Sequence, residues 1–185
     1  MLKLGVALFS VVCAFAGAPP FQVRDTQGGV HTSAEWAGRK AVVLYFVTVD
    51  CPVANGYVPE MNRIREAYAS RGVAFYAVQS DPSVAEPEVV KYARDYRYSF
   101  PLLLDPRQDL VHLAGATVTP QAAVLSPDGK LLYLGRVDNR VEDFGKQRFQ
   151  ATEADLRDAL DQVLAGKPVA RPRTKSIGCA IPMKH

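Results

Sequence analysis

The chain has 185 residues, of which 48% are hydrophobic and 22% are charged, and its formal net charge is +3 at pH 7. This length suits one domain with a sizeable hydrophobic core and is too short for us to expect two. The composition is that of a folded globular protein, which excludes an intrinsically disordered chain. A small net charge without a dominant basic block argues against a nucleic-acid-binding protein.

The first residues, MLKLGVALFSVVCAFAGAPP, have the pattern of an export signal. One early charge, Lys3, precedes an apolar run over residues 4–15 that is too short to span a bilayer comfortably. Ala14 and Ala16 form a small-x-small cleavage signature. We predict a signal peptide over residues 1–16, export to the periplasm or the extracellular space, and no transmembrane span in the mature chain. A lipid anchor at Cys13 is a weaker alternative, because a valine precedes it where a small residue is expected. A buried N-terminal helix is disfavoured because the run has no polar face.

Strands and helices are predicted to alternate along residues 17–168, which we assign to one domain. Continuous apolar runs predict strands buried on both faces, and apolar residues at steps of three and four predict helices. In chain order we predict two short strands within 21–36, a strand at 41–48, a helix from about 52 to 71, a strand at 73–80, a helix at 84–97, a strand at 100–105, a short helix at 109–116 capped by Asp109, a hairpin at 121–137, and a helix at 152–166 capped by Thr152.

This order, with β-α-β crossovers first and a hairpin later, predicts an α/β domain with a central mixed β-sheet flanked by helices. In such sheets the functional residues usually lie at the carboxyl ends of the strands. Cys51 lies at the first such crossing, between the strand at 41–48 and the helix that follows it.

Cys51 stands in the stretch VTVDCPVANGYVPEM. A helix N-terminus stabilises a thiolate through its unpaired N–H groups and its dipole, and Pro52 suits the first helical position. The carboxylate of Asp50, if it lies nearby, acts against the thiolate. Position 54 is alanine, not a second cysteine. Three interpretations therefore stay open: a catalytic thiol without a partner, a thiol whose partner lies elsewhere, or an ordinary buried cysteine.

Residues 21–166 resemble the thioredoxin-like superfamily, in its redoxin branch (AhpC/TSA, peroxiredoxin-like). The resemblance rests on YFVTVDCPVANGYVPEM, for the active-site strand, loop and kinked helix, and on TVTPQAAVLSPDGKLLYLGRVD, for the second half of the domain. It implies a thioredoxin-like fold in which Thr119-Pro120 forms a cis peptide bond beside the active cysteine. It also implies that Thr48, three residues before Cys51, matches the threonine of the peroxiredoxin motif.

Departures from the two main subfamilies leave the activity open. Ala54 stands where C-x-x-C thioredoxins carry their second cysteine, so a local disulfide cannot form. Leu44 replaces the proline of the peroxiredoxin motif. Peroxiredoxins also place a peroxide-binding arginine where this chain has Thr119-Pro120. Arg136 or Arg140 could substitute for it, although both are expected at the solvated edge of a hairpin.

Copper-delivering members of the superfamily resemble C-x-x-x-C, and the second position of that pattern is Asn55 here. A soft copper site would need Cys51 together with Cys179, Met183 or His185. We regard that arrangement as the minority alternative and predict no cofactor and no metal.

Residues 169–185, called the tail below, end in TKSIGCAIPMKH and carry Cys179 among apolar residues. A tail that stays solvated is not expected to be apolar, so we predict that residues 177–183 dock on the domain. The alternative is a frayed terminus with a chance cysteine. Loss of the signal peptide would leave Cys51 and Cys179 as the only cysteines, and an oxidising compartment favours their pairing. Two unrelated buried thiols remain the alternative to such a pair.

These observations predict an exported thiol oxidoreductase that uses Cys51 for thiol–disulfide exchange or peroxide reduction, with Cys179 as the resolving thiol. Its substrates would be thiol or disulfide proteins, or a peroxide. The alternatives are a carrier of copper or of a partner protein, without turnover, and a structural module that has lost its chemistry. The predicted site residues are Cys51, Cys179, Thr48, Thr119 and Pro120.

Overall fold

The computed structural model of the protein describes residues 17–184. The predicted signal peptide, residues 1–16, and the last residue, His185, lie outside the described residues. Within 17–184, none of the helices combines the length and the apolar character needed to cross a membrane.

A seven-stranded mixed sheet forms the centre of the domain, with the strand order β2-β1-β5-β4-β3-β7-β8. The three strands β3, β4 and β5 are parallel, whereas β1, β2, β7 and β8 pair antiparallel with their neighbours. The predicted mixed sheet is therefore confirmed. Its strands are β1 Gln22–Asp25, β2 Val30–Thr32, β3 Ala41–Val47, β4 Val73–Gln79, β5 Leu102–Leu104, β7 Gln121–Leu125 and β8 Leu131–Gly135.

Helices cover both faces of this sheet, as predicted. One face packs against α1 (Pro52–Ala69), α2 (Glu86–Asp95) and α4 (Asp155–Leu164), and the other against α3 (Asp109–Ala114) and a 3-10 helix, Ser33–Trp36. Every residue of β3 is fully buried. Val43, Tyr45 and Val47 belong to the first hydrophobic cluster, whereas their alternating neighbours belong to the second. A central strand thus needs apolar residues on both faces, which explains the continuous apolar run.

Four very short strands were not predicted: β6 Val118–Thr119, β9 Val141–Asp143, β10 Lys146–Gln147 and β11 Cys179–Ala180. Strands β9 and β10 pair with each other, and β11, in the tail, pairs with β6. Two or three residues are too few to show an alternating pattern, so no periodicity marks such strands in the sequence.

The predicted caps of two helices are wrong. At α3 the N-cap position belongs to Gln108, and its first N–H groups donate to a carboxylate at the end of β5: Asp105 Oδ2 lies 3.0 Å from Leu110 N and 3.1 Å from Val111 N. Asp109, the predicted cap, instead binds an arginine side chain. Helix α4 begins at Asp155, three residues after Thr152. In the first case the cap comes from the preceding strand, which local sequence rules do not anticipate.

An ion-pair network at the β1–β2 hairpin gives a test of the fold. His31 Nε2 lies 2.9 Å from Asp25 Oδ2, and His31 Nδ1 lies 2.9 Å from Glu35 Oε2. Burial alone lowers the pKa of His31, but its bonds to the two carboxylates outweigh burial and raise that pKa. Burial raises the pKa of each carboxyl, but the bond to His31 and further hydrogen bonds outweigh it and lower both pKa values.

The replacement His31→Gln is therefore expected to lower the free energy of unfolding most between about pH 4.5 and 6.5. The stabilisation from a raised histidine pKa is complete below about 6.5 and is lost as the pH rises through the folded value, whereas that from lowered carboxyl pKa values is lost on acidification. We expect a loss of about 1–3 kcal/mol in that window and a smaller loss at about pH 3 and pH 9, measured by urea unfolding. His112→Gln, on the exposed side of α3, is the matched control. A loss that does not vary with pH would contradict the prediction.

Candidate active site

Cys51 occupies the N-cap position of α1, and Pro52 is the first helical residue, as predicted. The backbone N–H of Cys51 donates to the carbonyl of Thr48 at 3.2 Å, and its carbonyl accepts from Asn55 N at 3.0 Å. The Cys51 side chain is fully buried. The thiol therefore lies at the positive end of a long helix, where negative charge on sulfur is favoured.

The Thr119-Pro120 peptide bond is cis, as the resemblance implied, and it lies next to Cys51. The Cys51 thiol donates to the backbone carbonyl of Thr119 over 3.1 Å, and Thr119 is fully buried. This contact joins two segments that are 68 residues apart in the chain. The cis-proline loop thus forms one wall around the sulfur.

Thr48 is buried close to the site, but its side chain bonds to a neighbour of the cysteine. Its hydroxyl donates to Asp50 Oδ1. Its structural role in this geometry is to fix the carboxylate of Asp50, while its backbone carbonyl accepts from Cys51 N. Asp50 matters for the electrostatics of the site, because its negative charge is one of the causes that raise the pKa of Cys179.

Cys179 lies beside Cys51, with the two Sγ atoms 2.7 Å apart although the residues are separated by 128 positions. Both are free cysteines in this structure, and Cys179 is half-buried. Strand β11 places it there, because Cys179 is the direct antiparallel partner of Thr119 in β6. The structure thus brings four of the predicted site residues, Cys51, Cys179, Thr119 and Pro120, to one place.

The tail is held on the domain along much of its length. Leu134 N donates to the Pro172 carbonyl at 2.9 Å, and Thr174 N donates back to the Leu134 carbonyl at 3.3 Å, so the tail extends the outer edge of β8. Ile181 is buried, whereas Met183 is 41% exposed. The predicted docking therefore holds up to about residue 182, and the apolar side chain of Met183 lies outside the contact.

The two sulfurs differ in their electrostatic environment. Burial, together with the hydrogen bond and charge of Cys51 and the charge of Asp50, raises the pKa of Cys179 to about 12. Cys179 therefore retains its proton over the physiological range. Cys51 instead lies at the N-terminus of α1, where unpaired N–H groups and the helix dipole are close to the sulfur. The two positions therefore suit different roles, an attacking thiol and a resolving thiol.

A cluster of tyrosines that the sequence did not single out supports the first turn of α1. Tyr92 donates to Asn55 Oδ1 over 2.9 Å, and its hydroxyl lies 2.8 Å from that of Tyr98. Tyr45 donates to the Ala54 carbonyl at 3.0 Å. Asn55, in the first turn of α1, is thus held by a side chain from α2 that is 37 residues away in the chain. No local motif signals such a contact.

The arginines considered for peroxide binding are engaged elsewhere. Arg136 pairs with Asp155 at 2.7 Å and with Glu153 at 2.9 Å. Arg140 stacks over the ring of Tyr57, with its guanidinium carbon 4.3 Å from the ring centre. The expectation of a solvated hairpin edge is therefore wrong, because both side chains are half-buried and held by these contacts.

Within residues 17–184, no group of three or more His, Cys, Asp or Glu side chains is arranged to hold a metal ion. His185, one of the side chains considered as a copper ligand, lies outside the described residues.

Comparisons with known proteins match this geometry. The model of the AhpC/TSA family matches residues 16–134, which include Cys51 and the cis-proline loop but end before the tail. The thiol-disulfide oxidoreductase ResA of Geobacillus thermodenitrificans is 27% identical over 124 residues, covering 66% of this chain and 68% of that protein. The prediction of a thiol-dependent oxidoreductase agrees with this relative.

Solved structures extend the similarity to almost the whole chain. A hypothetical protein from Sinorhizobium meliloti 1021 has a TM-score of 0.78 and 30% identity, covering 91% of this chain and 93% of its own. A putative thiol:disulfide interchange protein DsbE from Chlorobium tepidum, at a TM-score of 0.56 and 24% identity over 64% of this chain and 81% of that one, shows the same fold. With a thioredoxin-like fold and a family match over most of its length, the chain belongs to the AhpC/TSA family.

Proposed function

We propose that this protein is an exported thiol–disulfide oxidoreductase in which Cys51 is the attacking thiol and Cys179 is its resolving partner. The observation that carries the proposal is the 2.7 Å approach of the two Sγ atoms beside the cis-proline loop, at the N-terminus of α1. Thr119 and Pro120 form the wall against which the reacting sulfurs are held, and Thr48 positions the carboxylate of Asp50.

The proposed cycle transfers two electrons. The Cys51 thiolate attacks one sulfur of a disulfide in a partner protein, so that a mixed disulfide forms and the partner's second sulfur leaves as a thiolate that takes up a proton. Cys179 then gives up its proton and attacks Cys51 Sγ, which forms the Cys51–Cys179 disulfide and releases the partner as a dithiol. An external dithiol returns the protein to its reduced state by the same exchange.

Two observations favour disulfides over peroxides as substrates. The arginines that could hold a peroxide are tied to Asp155 and to Tyr57. Cys179 Sγ, the neighbour of Cys51 Sγ, belongs to β11, which pairs with the cis-proline loop. A polypeptide segment carrying a disulfide would present its sulfur to Cys51 in the same arrangement. The signal-like pattern of residues 1–16 supports export, and an oxidising compartment would supply disulfides.

The test begins with mass spectrometry of the mature protein purified without reductant. We expect a peptide in which Cys51 and Cys179 are cross-linked and which separates on reduction. In turnover assays we expect the reduced protein to reduce insulin disulfides at the expense of dithiothreitol and to consume hydrogen peroxide no faster than free thiols do. Two free thiols in the air-exposed protein would contradict the assignment of Cys179, and preferential consumption of peroxide would contradict disulfide exchange as the activity.

A further inference from the structure

The position of the tail suggests what the redox partner looks like. Strand β11 pairs antiparallel with β6, with Cys179 opposite Thr119 and Ala180 opposite Val118. Within residues 17–184, β11 is the only strand hydrogen-bonded to β6. The tail therefore occupies the pairing edge next to the cis-proline, and an extended segment can reach Cys51 through this edge.

The residue before Cys179 must be glycine for this pairing. A Cβ atom at Gly178 would lie 1.9 Å from the Thr119 carbonyl oxygen and 3.0 Å from Pro120 Cδ. Distances this short exclude any side chain unless the backbone of the loop moves. A segment that pairs with β6 in this register is thus required to carry glycine immediately before its cysteine.

The side chain of Ile181, two positions after Cys179, lies in an apolar site. Ile181 is 5% exposed and belongs to the hydrophobic cluster on the α3 face of the sheet. Its backbone N–H donates to the Thr117 carbonyl at 2.9 Å, which continues the pairing beyond β11. Ala180, between the two, is exposed, so the pairing does not restrict which side chain stands at this position.

A buried side chain then fixes the end of the tail. Gln108 Nε2 donates to the carbonyls of Ser80 and Pro182, at 2.8 Å each, and its Oε1 accepts from Lys184 N at 2.7 Å. These bonds to the tail involve only its backbone, so they favour an extended segment without selecting its side chains. Recognition by sequence therefore rests on the glycine and the aliphatic residue.

The docked tail also closes the site. Cys51 is fully buried, and Cys179 is its neighbour on the tail side. A partner protein cannot reach Cys51 at this edge while β11 is paired with β6.

We propose that residues 177–182 are an internal substitute for the substrate: the redox partner presents an extended Gly-Cys-x-aliphatic segment that takes the place of β11 on β6. The inference rests on the proposed function, since it names the partner of the same thiol. Once the mixed disulfide has formed, the partner segment unpairs from β6 and the tail re-pairs there. Cys179 then loses its proton and attacks Cys51 Sγ, which forms the Cys51–Cys179 disulfide and expels the partner sulfur as a thiolate that takes up a proton.

The test uses full-length Cys179→Ser protein and the peptide SIGCAIPM, whose cysteine carries 2-nitro-5-thiobenzoate as a mixed disulfide. Attack of Cys51 on the peptide sulfur forms a peptide adduct and releases the coloured thiolate, which gives the rate. We expect a peptide with serine for the second isoleucine to react about tenfold more slowly, since a buried aliphatic side chain typically contributes that much. A peptide with alanine for glycine should be slowed at least as much, because its Cβ atom would collide with the Thr119 carbonyl oxygen.

A second measurement examines the tail itself. Adding Ile181→Ser to Cys179→Ser should speed the reaction with SIGCAIPM several-fold, because the tail competes less well, whereas Ala180→Ser in the same background should not. Thermal melts confirm that each variant is folded. Equal rates for all three peptides, or no effect of Ile181→Ser, would overturn the inference and leave the proposed function intact. No adduct on Cys51 with any peptide or with a small aryl disulfide, in either background, would overturn the proposed function as well.

Discussion

Replacing Cys51 with serine is expected to reduce the rate of disulfide exchange by roughly a thousandfold or more, because serine at this position cannot form the attacking thiolate. Replacing Cys179 with serine should have a different signature. The first step, attack by Cys51, stays possible, but no neighbouring thiol lies 2.7 Å away to resolve the product. The Cys179→Ser protein should therefore accumulate a mixed disulfide with its substrate, visible as an adduct that reduction removes.

The matched control is Ala180→Ser, which adds a hydroxyl on the exposed side of the same strand and should leave turnover unchanged. Initial rates of insulin reduction and intact-mass spectra of the trapped adducts separate the three variants. Full activity of Cys51→Ser would refute its assignment as the attacking thiol. Unimpaired turnover of Cys179→Ser, without a trapped adduct, would mean that an external thiol resolves the intermediate.

Oxidation of the pair is expected to stabilise the fold by about 4–5 kcal/mol in the chain-entropy model, because the cross-link restricts an unfolded chain across a long loop. The loop spans 128 positions. For a chain of this size the corresponding rise in melting temperature is roughly 10–20 °C. Calorimetry or circular dichroism of the oxidised and reduced protein, each held at its redox state, measures the difference.

The control for this prediction is the Cys179→Ser protein, whose melting temperature should not respond to reductant. Cys51→Ser should behave in the same way. Identical melting temperatures of oxidised and reduced wild-type protein would contradict the prediction, and so would an equal response of the serine variants. Protease digestion gives an independent readout, since reduction should make the tail easier to cleave while the domain stays intact.

The site is built by two kinds of interaction, one between residues close in the sequence and one between residues far apart in it. The apolar run of β3 ends at Val47, and α1 begins at Pro52, directly after Cys51. The end of the apolar run and the proline at the first helical position are signals that lie within about ten residues of each other. The cis-proline loop was anticipated from a family resemblance, and the cis bond is present. The position of Cys51 at a helix N-terminus was thus predictable from neighbouring residues.

Contacts between distant segments carried no comparable signal. Asp105 caps α3 from the end of the preceding strand, and Asn55 is held by Tyr92 of another helix. Each of these contacts satisfies a polar group that the fold buries or orders, and its partner is chosen by proximity in space. The two-residue strands β6 and β11 likewise lack any alternation that could have marked them.

By itself, the sequence determined the mixed sheet, the flanking helices and the location of Cys51, because apolar periodicity and helix-start signals act over a few residues. It also provided the two cysteines and the apolar tail, but left open whether they meet. Only the tertiary structure decided that Cys179 pairs with Thr119 and lies beside Cys51. The contact across 128 positions depends on backbone pairing at one strand edge and on the absence of a side chain at Gly178. Neither feature produces a periodic pattern in the neighbouring sequence, so the sequence could not predict the contact.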